Sequence, residues 1–382
     1  MKIESIRILP LRGATPDGGW DDVHLNPETN LHTLVEVITD EGITGLGSVF
    51  TSAHLVEGAV AVLKPFLIGA SALDPAATSE MLHQQTFWQG RGGAITHAIS
   101  GIDIALWDIF GKVCGQPISR LLGGRYRERI KPYGSLLMGE PDVLLPRLED
   151  GMRRGFRAFK IGWGPFGRVD RKTDERIVKA ARDCIGSDIE LMVDAGGSDA
   201  LWPHGYKWAV ETAKMLADYD VTWFEEALRP DDLEGYIQLT KNSPVPIAAC
   251  EVLTRRQSFL EWIERRAVDF IQPDVTKVGG LSEEHRIAQY ADDHAIRFVP
   301  HGWNTAVGLA ADLQLLAAAA NAKWVEYITP APYIEELLLD PIQLDETDGM
   351  IAIPDGPGLG MRWNPDGIEK FTGGMALTES TK

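Results

Sequence analysis

Seven short, β-prone runs of this chain each end in, or lead into, an ionisable residue. These are Lys160, Asp194, the pair Glu225-Glu226, Glu251, Asp274, His301 and Glu326. Asp194, Glu225 and Glu251 are carboxylates on three successive runs. Carboxylates crowded into a low-dielectric space repel one another unless a cation neutralises them. A ligand set of oxygens alone, with neither Cys nor His, suits Mg²⁺, which keeps positions open for substrate oxygens. Asp274 and His301 follow neighbouring runs, so the carboxylate can fix the tautomer of the imidazole and raise its basicity, as a general acid/base requires. Lys160, beside a carboxylate held by the metal, could hold a substrate oxygen or take a proton.

Such a constellation needs a scaffold that delivers one strand end after another to a common place. From about residue 130 to 330, β-prone runs alternate with amphipathic stretches. The runs are Ile130–Ser135, Ala158–Ile161, Ile189–Val193, Val221–Phe224, Ile247–Ala249, Phe270–Ile271, Ile296–Val299 and Trp324–Val325. Between them lie helical periodicities such as Ile177/Ala181/Cys184, Val210/Ala213/Ala217 and Ile287/Tyr290/Ala291. Eight strands with intervening helices predict a (β/α) barrel, whose active site forms at the carboxyl ends of the strands. A doubly wound sheet is the competing architecture. Ahead of this region, Ile3, Ile6 and Ile8 and the run Leu34–Ile38 read as strands, with a hairpin at Thr39-Asp40-Glu41-Gly42. Ala98, Ile102, Ala105 and Ile109 fall on one face of a helix that Gly115 and Pro117 stop. The expected division is an α+β unit over residues 1–127, the barrel over 128–344, and a turn-rich tail over 345–382 that returns to the first unit.

Composition narrows the partners. The 382 residues carry 37 basic and 55 acidic side chains, a formal net charge of −18. A chain this acidic repels nucleic acid and anionic membranes, although a bound metal can still draw in a small anion. Three scattered cysteines make no disulfide framework and no zinc motif. The start has no signal core, and the apolar stretch Leu309–Ala320 carries Asp312 and is too short to span a bilayer. A cytoplasmic enzyme acting on a small molecule is expected.

The motifs resemble the mandelate racemase subgroup of the enolase superfamily, over essentially the whole chain. The segment AISGIDIALWDIFGKVCGQPISRLLG (98–123) is similar to that family's N-terminal signature. Also similar are Val193-Asp194-Ala195, Trp223-Phe224-Glu225-Glu226, Gln272-Pro273-Asp274 followed by Gly279-Gly280, Pro300-His301, and the turns from Pro354 to Gly360. The resemblance implies a modified (β/α)7β barrel under an α+β capping domain formed by the N-terminal region and the tail. It implies Mg²⁺ on Asp194, Glu225 and Glu251, a His301–Asp274 acid/base dyad, and Glu326 bonded to the substrate. Capping-domain loops around 13–30, with Trp20 and His24, and around 50–58 would close over the site. Ser135 and Trp303 are further candidate substrate contacts, and a homo-oligomer is expected, as is common among relatives.

Two departures bear on the reaction. Where the family usually has Lys-x-Lys, this chain has Lys160-Ile161-Gly162; where it usually has Asp-x-Asn, the chain has Asp194-Ala195-Gly196. The run from Gly197 to Gly205 looks like an insertion whose Trp202 or His204 could refill that corner. Cys250 and Ala227 replace a usual Gly and Pro. Racemisation needs proton donors on both faces of an enediolate, so loss of the second lysine disfavours it. The reaction expected is dehydration of an aldonate or aldarate through the single His301. A sugar-lactone or anhydro-sugar cycloisomerase is the alternative, and a non-catalytic sugar-acid-binding barrel is the second.

Overall fold

A computed structural model of the chain describes residues 1–12, 31–199 and 201–379. The chain opens with strands β1 (Ile3–Pro10), β2 (His32–Thr39) and β3 (Thr44–Phe50), paired antiparallel in that order. The expected hairpin joins β2 to β3, with Gly42 at φ 77 in the left-handed region that glycine tolerates. Helices α1 (Ala53–Leu67), α2 (Pro75–Gln85), α3 (Ala94–Cys114) and α4 (Ile118–Leu121) follow. The helix face anticipated from Ala98, Ile102, Ala105 and Ile109 is fully buried. It docks on the sheet backbone to backbone: a Cβ on Gly47 would stand 1.8 Å from the carbonyl oxygen of Gly101.

The barrel comprises β4 (Arg129–Leu137), α5 (Pro141–Arg154), β5 (Ala158–Gly162), α6 (Arg171–Ile185), β6 (Glu190–Asp194), α7 (Tyr206–Ala217), β7 (Val221–Glu225) and α8 (Leu233–Asn242). It continues with β8 (Ile247–Ala249), α9 (Arg256–Glu264), β9 (Phe270–Ile271), α10 (Leu281–Asp293), β10 (Arg297–Phe298), α11 (Ala306–Ala318) and β11 (Trp324–Ile328). The parallel strands run in order β10-β9-β8-β7-β6-β5-β4-β11. A bridge from Phe298 to Ala322 completes the ring. The first strand therefore pairs with the last, which a doubly wound sheet does not do. The architecture is a modified (β/α)7β barrel with an antiparallel capping sheet.

One residue from each strand or its edge fills the interior: Tyr133, Ala158, Met192, Trp223, Ala248, Phe270, Val299 and Trp324. Trp223 meets Tyr133 and Trp324 edge-on, each at 5.4 Å between ring centroids. This aromatic plug is the floor on which the polar strand ends stand. α12 (Pro332–Glu335) follows β11, and the tail carries β12 (Ile351–Ala352) and α13 (Pro365–Thr372). β12 pairs antiparallel with the start of β4, and the Leu359 N–H donates to Asp108 of α3 at 3.0 Å. The Arg12 N–H donates to the Phe371 carbonyl at 2.8 Å. The Ala-rich α11 is buried along its whole length, so it serves the core. Among the described residues, no helix is long and apolar enough to cross a membrane.

Candidate active site

Asp194 and Glu225 are the last residues of β6 and β7, in register with each other, and Glu251 follows β8. All three are buried, and each offers an oxygen within 4.8 Å of the others. Burial, and next the Glu225 carboxylate, push Asp194 up to about 8. Such a set is short of positive charge, and a hard divalent cation satisfies it. Glu225 is also fixed by its neighbours: Lys160 donates to Oε1 at 2.5 Å, and Trp223 and Gln272 each donate to Oε2 at 2.8 Å. The second glutamate of the pair turns away. Glu226 sits at φ 45 and accepts hydrogen bonds from the N–H and hydroxyl of Ser198.

Lys160 is buried between Glu225 and Glu326, 3.0 Å from the latter. Burial opposes its charge, but Glu225 and Glu326 outweigh it and hold the amine well above its ordinary value. Glu326 accepts the Gly302 N–H at 2.7 Å. Burial opposes its ionisation too, yet Lys160 and then His301 hold it down at about 2. Across the mouth, His301 Nδ1 lies 2.7 Å from Asp274, and its Nε2 is 3.4 Å from Glu251. Asp274 accepts from the N–H and hydroxyl of Thr276 at 2.8 and 2.6 Å. An ionised Asp274 thus requires the proton on Nδ1 and leaves Nε2 facing the site. Burial lowers the affinity of His301 for a proton, but Glu251 and Asp274 more than restore it, so the net shift is upward.

The structure adds a cation that the spacing did not single out. Lys277 is buried 3.6 Å from Asp274 and 4.0 Å from Glu251, over the ring of Phe50 at 4.4 Å. Phe50 in turn lies edge-on to His301 at 6.4 Å and to His32 at 5.1 Å. The capping sheet therefore closes directly on the dyad. Only Thr51 and Ser52 separate β3 from α1, so the stretch 50–58, expected as a closing loop, is mostly helix. The other expected loop, 13–30, lies outside the described residues with its Trp20 and His24. Ser135 is buried in register with Lys160 and bonded to Glu326. Trp303 is half-buried two residues after His301.

The corner of the missing lysine and asparagine is filled, though not by the insertion. A Cβ on Gly162 would stand 2.5 Å from the Asp194 Cβ, so the metal-facing strand packs where a side chain would be. A Cβ on Gly196 would stand 2.8 Å from the indole of Trp163. Trp163, at φ 61, donates its N–H to the Asp194 carbonyl at 3.1 Å and lays its ring over Gly196. Trp202 is buried and donates to the Ala227 carbonyl, while His204 stacks on Trp208 and bonds Gly167. Neither contacts the carboxylates. A tryptophan next to the glycine was the signal in the sequence; its left-handed backbone was not visible there.

Two family models cover the chain. Residues 26–123 match the mandelate racemase / muconate lactonizing enzyme N-terminal domain, and residues 146–367 match the enolase C-terminal domain-like family. The chain belongs to the mandelate racemase / muconate lactonizing enzyme family. It is 35% identical to a D-galactarolactone cycloisomerase of Agrobacterium fabrum, over 97% of this chain and 99% of the relative. It is 30% identical to a D-xylonate dehydratase of Haloferax volcanii, over 97% and 92%. Among solved structures, the 3,6-anhydro-D-galactonate cycloisomerase from Zobellia galactanivorans superposes with TM-score 0.86 at 29% identity, covering 97% of this chain and 99% of that one. A racemase from Streptomyces coelicolor with bound magnesium gives TM-score 0.82 at 27% identity, over 97% and 99%.

Proposed function

We propose that this chain is a sugar-acid dehydratase that removes the proton alpha to a carboxylate and expels the β-hydroxyl as water, leaving a 2-keto-3-deoxy acid. The observation that carries the reading is the asymmetry of the mouth. Asp274 and His301 follow β9 and β10, while the facing strands β5 and β6 present Gly162, Gly196 and the indole of Trp163. Among the described residues, only Asp194, which we assign to the metal, stands at that glycine and indole corner, and this supports the reading that one imidazole carries the proton transfer.

Asp194, Glu225 and Glu251 would hold Mg²⁺, which when bound neutralises them and acidifies the α-proton of a carboxylate substrate. Lys160 donates to the oxygen on which negative charge develops, and the Glu326 carboxylate, 3.0 Å from the amine, holds that lysine charged and in place. His301 Nε2 takes the α-proton while Asp274 keeps Nδ1–H in place. The imidazolium then returns that proton to the departing β-hydroxyl, so one group serves both steps. The enol formed rearranges to the keto acid.

A second reading has its own support. The 35% identical relative is a lactone cycloisomerase. A lactone ring opens by the same α-proton abstraction, and its carboxylate leaves without being protonated, so a single imidazole suffices there also.

The deciding experiment incubates wild type and His301→Asn with Mg²⁺ and a panel of aldonic acids, aldaric acids and their lactones in deuterated water. Wild type should exchange or lose the α-proton of at least one member, and His301→Asn should lose both exchange and turnover. Release of water from an open-chain acid identifies the dehydratase, and ring opening of a lactone the cycloisomerase. Exchange that survives in His301→Asn would overturn the single-base reading, and no exchange with any compound would leave a binding protein.

A further inference from the structure

The loop that carries Glu251 runs on after β8 to meet the start of α3, where Arg255 and Arg91 both approach the ring of Phe87. Arg255 is 4% exposed, yet its Nε and Nη1 have no hydrogen-bond partner among the described residues. Its backbone is held at φ 61, with its N–H on the Val278 carbonyl at 2.9 Å. A buried guanidinium with two of its three nitrogens unpaired is costly, and a left-handed arginine adds strain. The nearby carboxylates are engaged elsewhere. Glu283 accepts both the backbone N–H of Arg256, at 2.8 Å, and its guanidinium, and Glu80 accepts from the same side chain at 2.9 Å.

Glu283 still acts on Arg255 through space, but it makes no hydrogen bond to it, and Arg91 brings further positive charge. The guanidinium carbons of Arg255 and Arg91 each lie 5.7 Å from the centroid of the Phe87 ring. α3 begins one residue after Gly93, which offers no side-chain cap. Gly92 packs against Thr254, the neighbour of Arg255, closely enough that a Cβ would stand 2.6 Å from the threonine oxygen. The positive end of a 21-residue helix therefore opens beside the unpaired guanidinium. His83 is close enough for Arg255 to act on it; it is 2% exposed, its Nε2 has no partner among the described residues, and a Cβ on Gly279 would stand 2.9 Å from that nitrogen.

We propose that Arg255, Arg91 and the N-terminus of α3 form a second binding site, for an oxyanion, a carboxylate or phosphate group taken bidentately by the Arg255 fork. The site is independent of the reaction assigned to the carboxylate centre. The oxyanion has two possible sources: a small anion from solution, or an acidic side chain of a second copy of this chain. Phe87 and Trp88, 49% and 98% exposed, stand at the rim and would meet such a copy.

The test uses full-length apoprotein in a buffer free of oxyanions, titrated with inorganic phosphate by calorimetry and thermal denaturation. Sedimentation velocity of the same samples is run without phosphate. If a small anion fills the site, wild type binds phosphate saturably and gains stability. Arg255→Met should then weaken binding by about tenfold or more, with Arg255→Lys between the two. Should Arg255→Met fail to fold, the exposed Arg91→Met carries the same test. If a second copy fills the site, wild type self-associates, and Arg255→Met or Arg91→Met dissociates it. The proposal is overturned if wild type neither binds phosphate nor self-associates through Arg255 or Arg91, or if phosphate binding survives unchanged in both variants.

Discussion

Replacing Gly162 by alanine asks whether the absent second lysine is an empty place or a packing requirement. The added Cβ would stand 2.5 Å from the Cβ of Asp194, 3.0 Å from its carbonyl oxygen and 3.1 Å from its carboxyl carbon. Carbon atoms in good contact lie about 3.5–4.0 Å apart. Asp194 must therefore retreat by about 1 Å, and overpacking of this kind costs about 1–3 kcal/mol. Gly162 pairs in register with Asp194 along two parallel strands, so the backbone has little freedom to absorb the shift. The displacement falls on one of the three carboxylates whose oxygens converge within 4.8 Å. If the whole cost appears in metal binding, affinity for Mg²⁺ drops about 5- to 150-fold, at about 1.4 kcal/mol per tenfold. Calorimetric titration of Mg²⁺ into wild type and Gly162→Ala measures this, with circular dichroism confirming that the variant is folded. Gly162→Lys should fare no better, although it restores the residue usual in the family. An alanine variant that binds Mg²⁺ within about twofold of wild type would refute the reasoning.

Glu225→Gln, Asp194→Asn and Glu251→Gln should each abolish Mg²⁺ binding without unfolding the chain; unchanged affinity in all three would sink the metal assignment. Lys160→Met should leave turnover severely reduced through lost stabilisation of developing charge, and wild-type turnover in that variant would remove Lys160 from the mechanism. Trp163→Ala should raise KM for an accepted sugar acid about tenfold while Mg²⁺ affinity stays put, whereas an unmoved KM would mean that the indole only packs on Gly196. Burial, and next Arg255, depress His83 from 6.5 to about 3. The stability this neutral histidine contributes is complete above about pH 6.5 and is lost as pH falls toward 3, at up to about 1.4 kcal/mol per pH unit. Urea unfolding in oxyanion-free buffer at pH 7, 6 and 5 should show a shallower decline for His83→Gln, and identical slopes would contradict it.

The barrel was legible because its units are local. Each strand is a short β-prone run, each helix repeats its apolar face within one segment, and an ionisable residue at a strand end points into the mouth whatever surrounds it. The same logic brought Asp194, Glu225, Glu251, Asp274 and His301 forward as a group, since consecutive parallel strands deliver consecutive ends. Tertiary structure decided what stands between those ends. Lys277 is one loop residue among several after β9 until a tight turn, its N–H on the Asp274 carbonyl, folds it over the dyad and the capping sheet sets Phe50 against it. The glycines at 162 and 196 read as two losses in the sequence, and Trp202 and His204 as their plausible replacements. In the folded chain Asp194 and the Trp163 indole occupy those places, because a left-handed turn at Trp163 throws its ring back across the neighbouring strand. The unpaired Arg255 was equally hidden, since its isolation depends on Arg256 engaging both nearby acids. Periodicity is a property of neighbours in the chain, whereas the direction of a loop side chain and its partners depend on backbone angles and contacts between elements far apart in sequence.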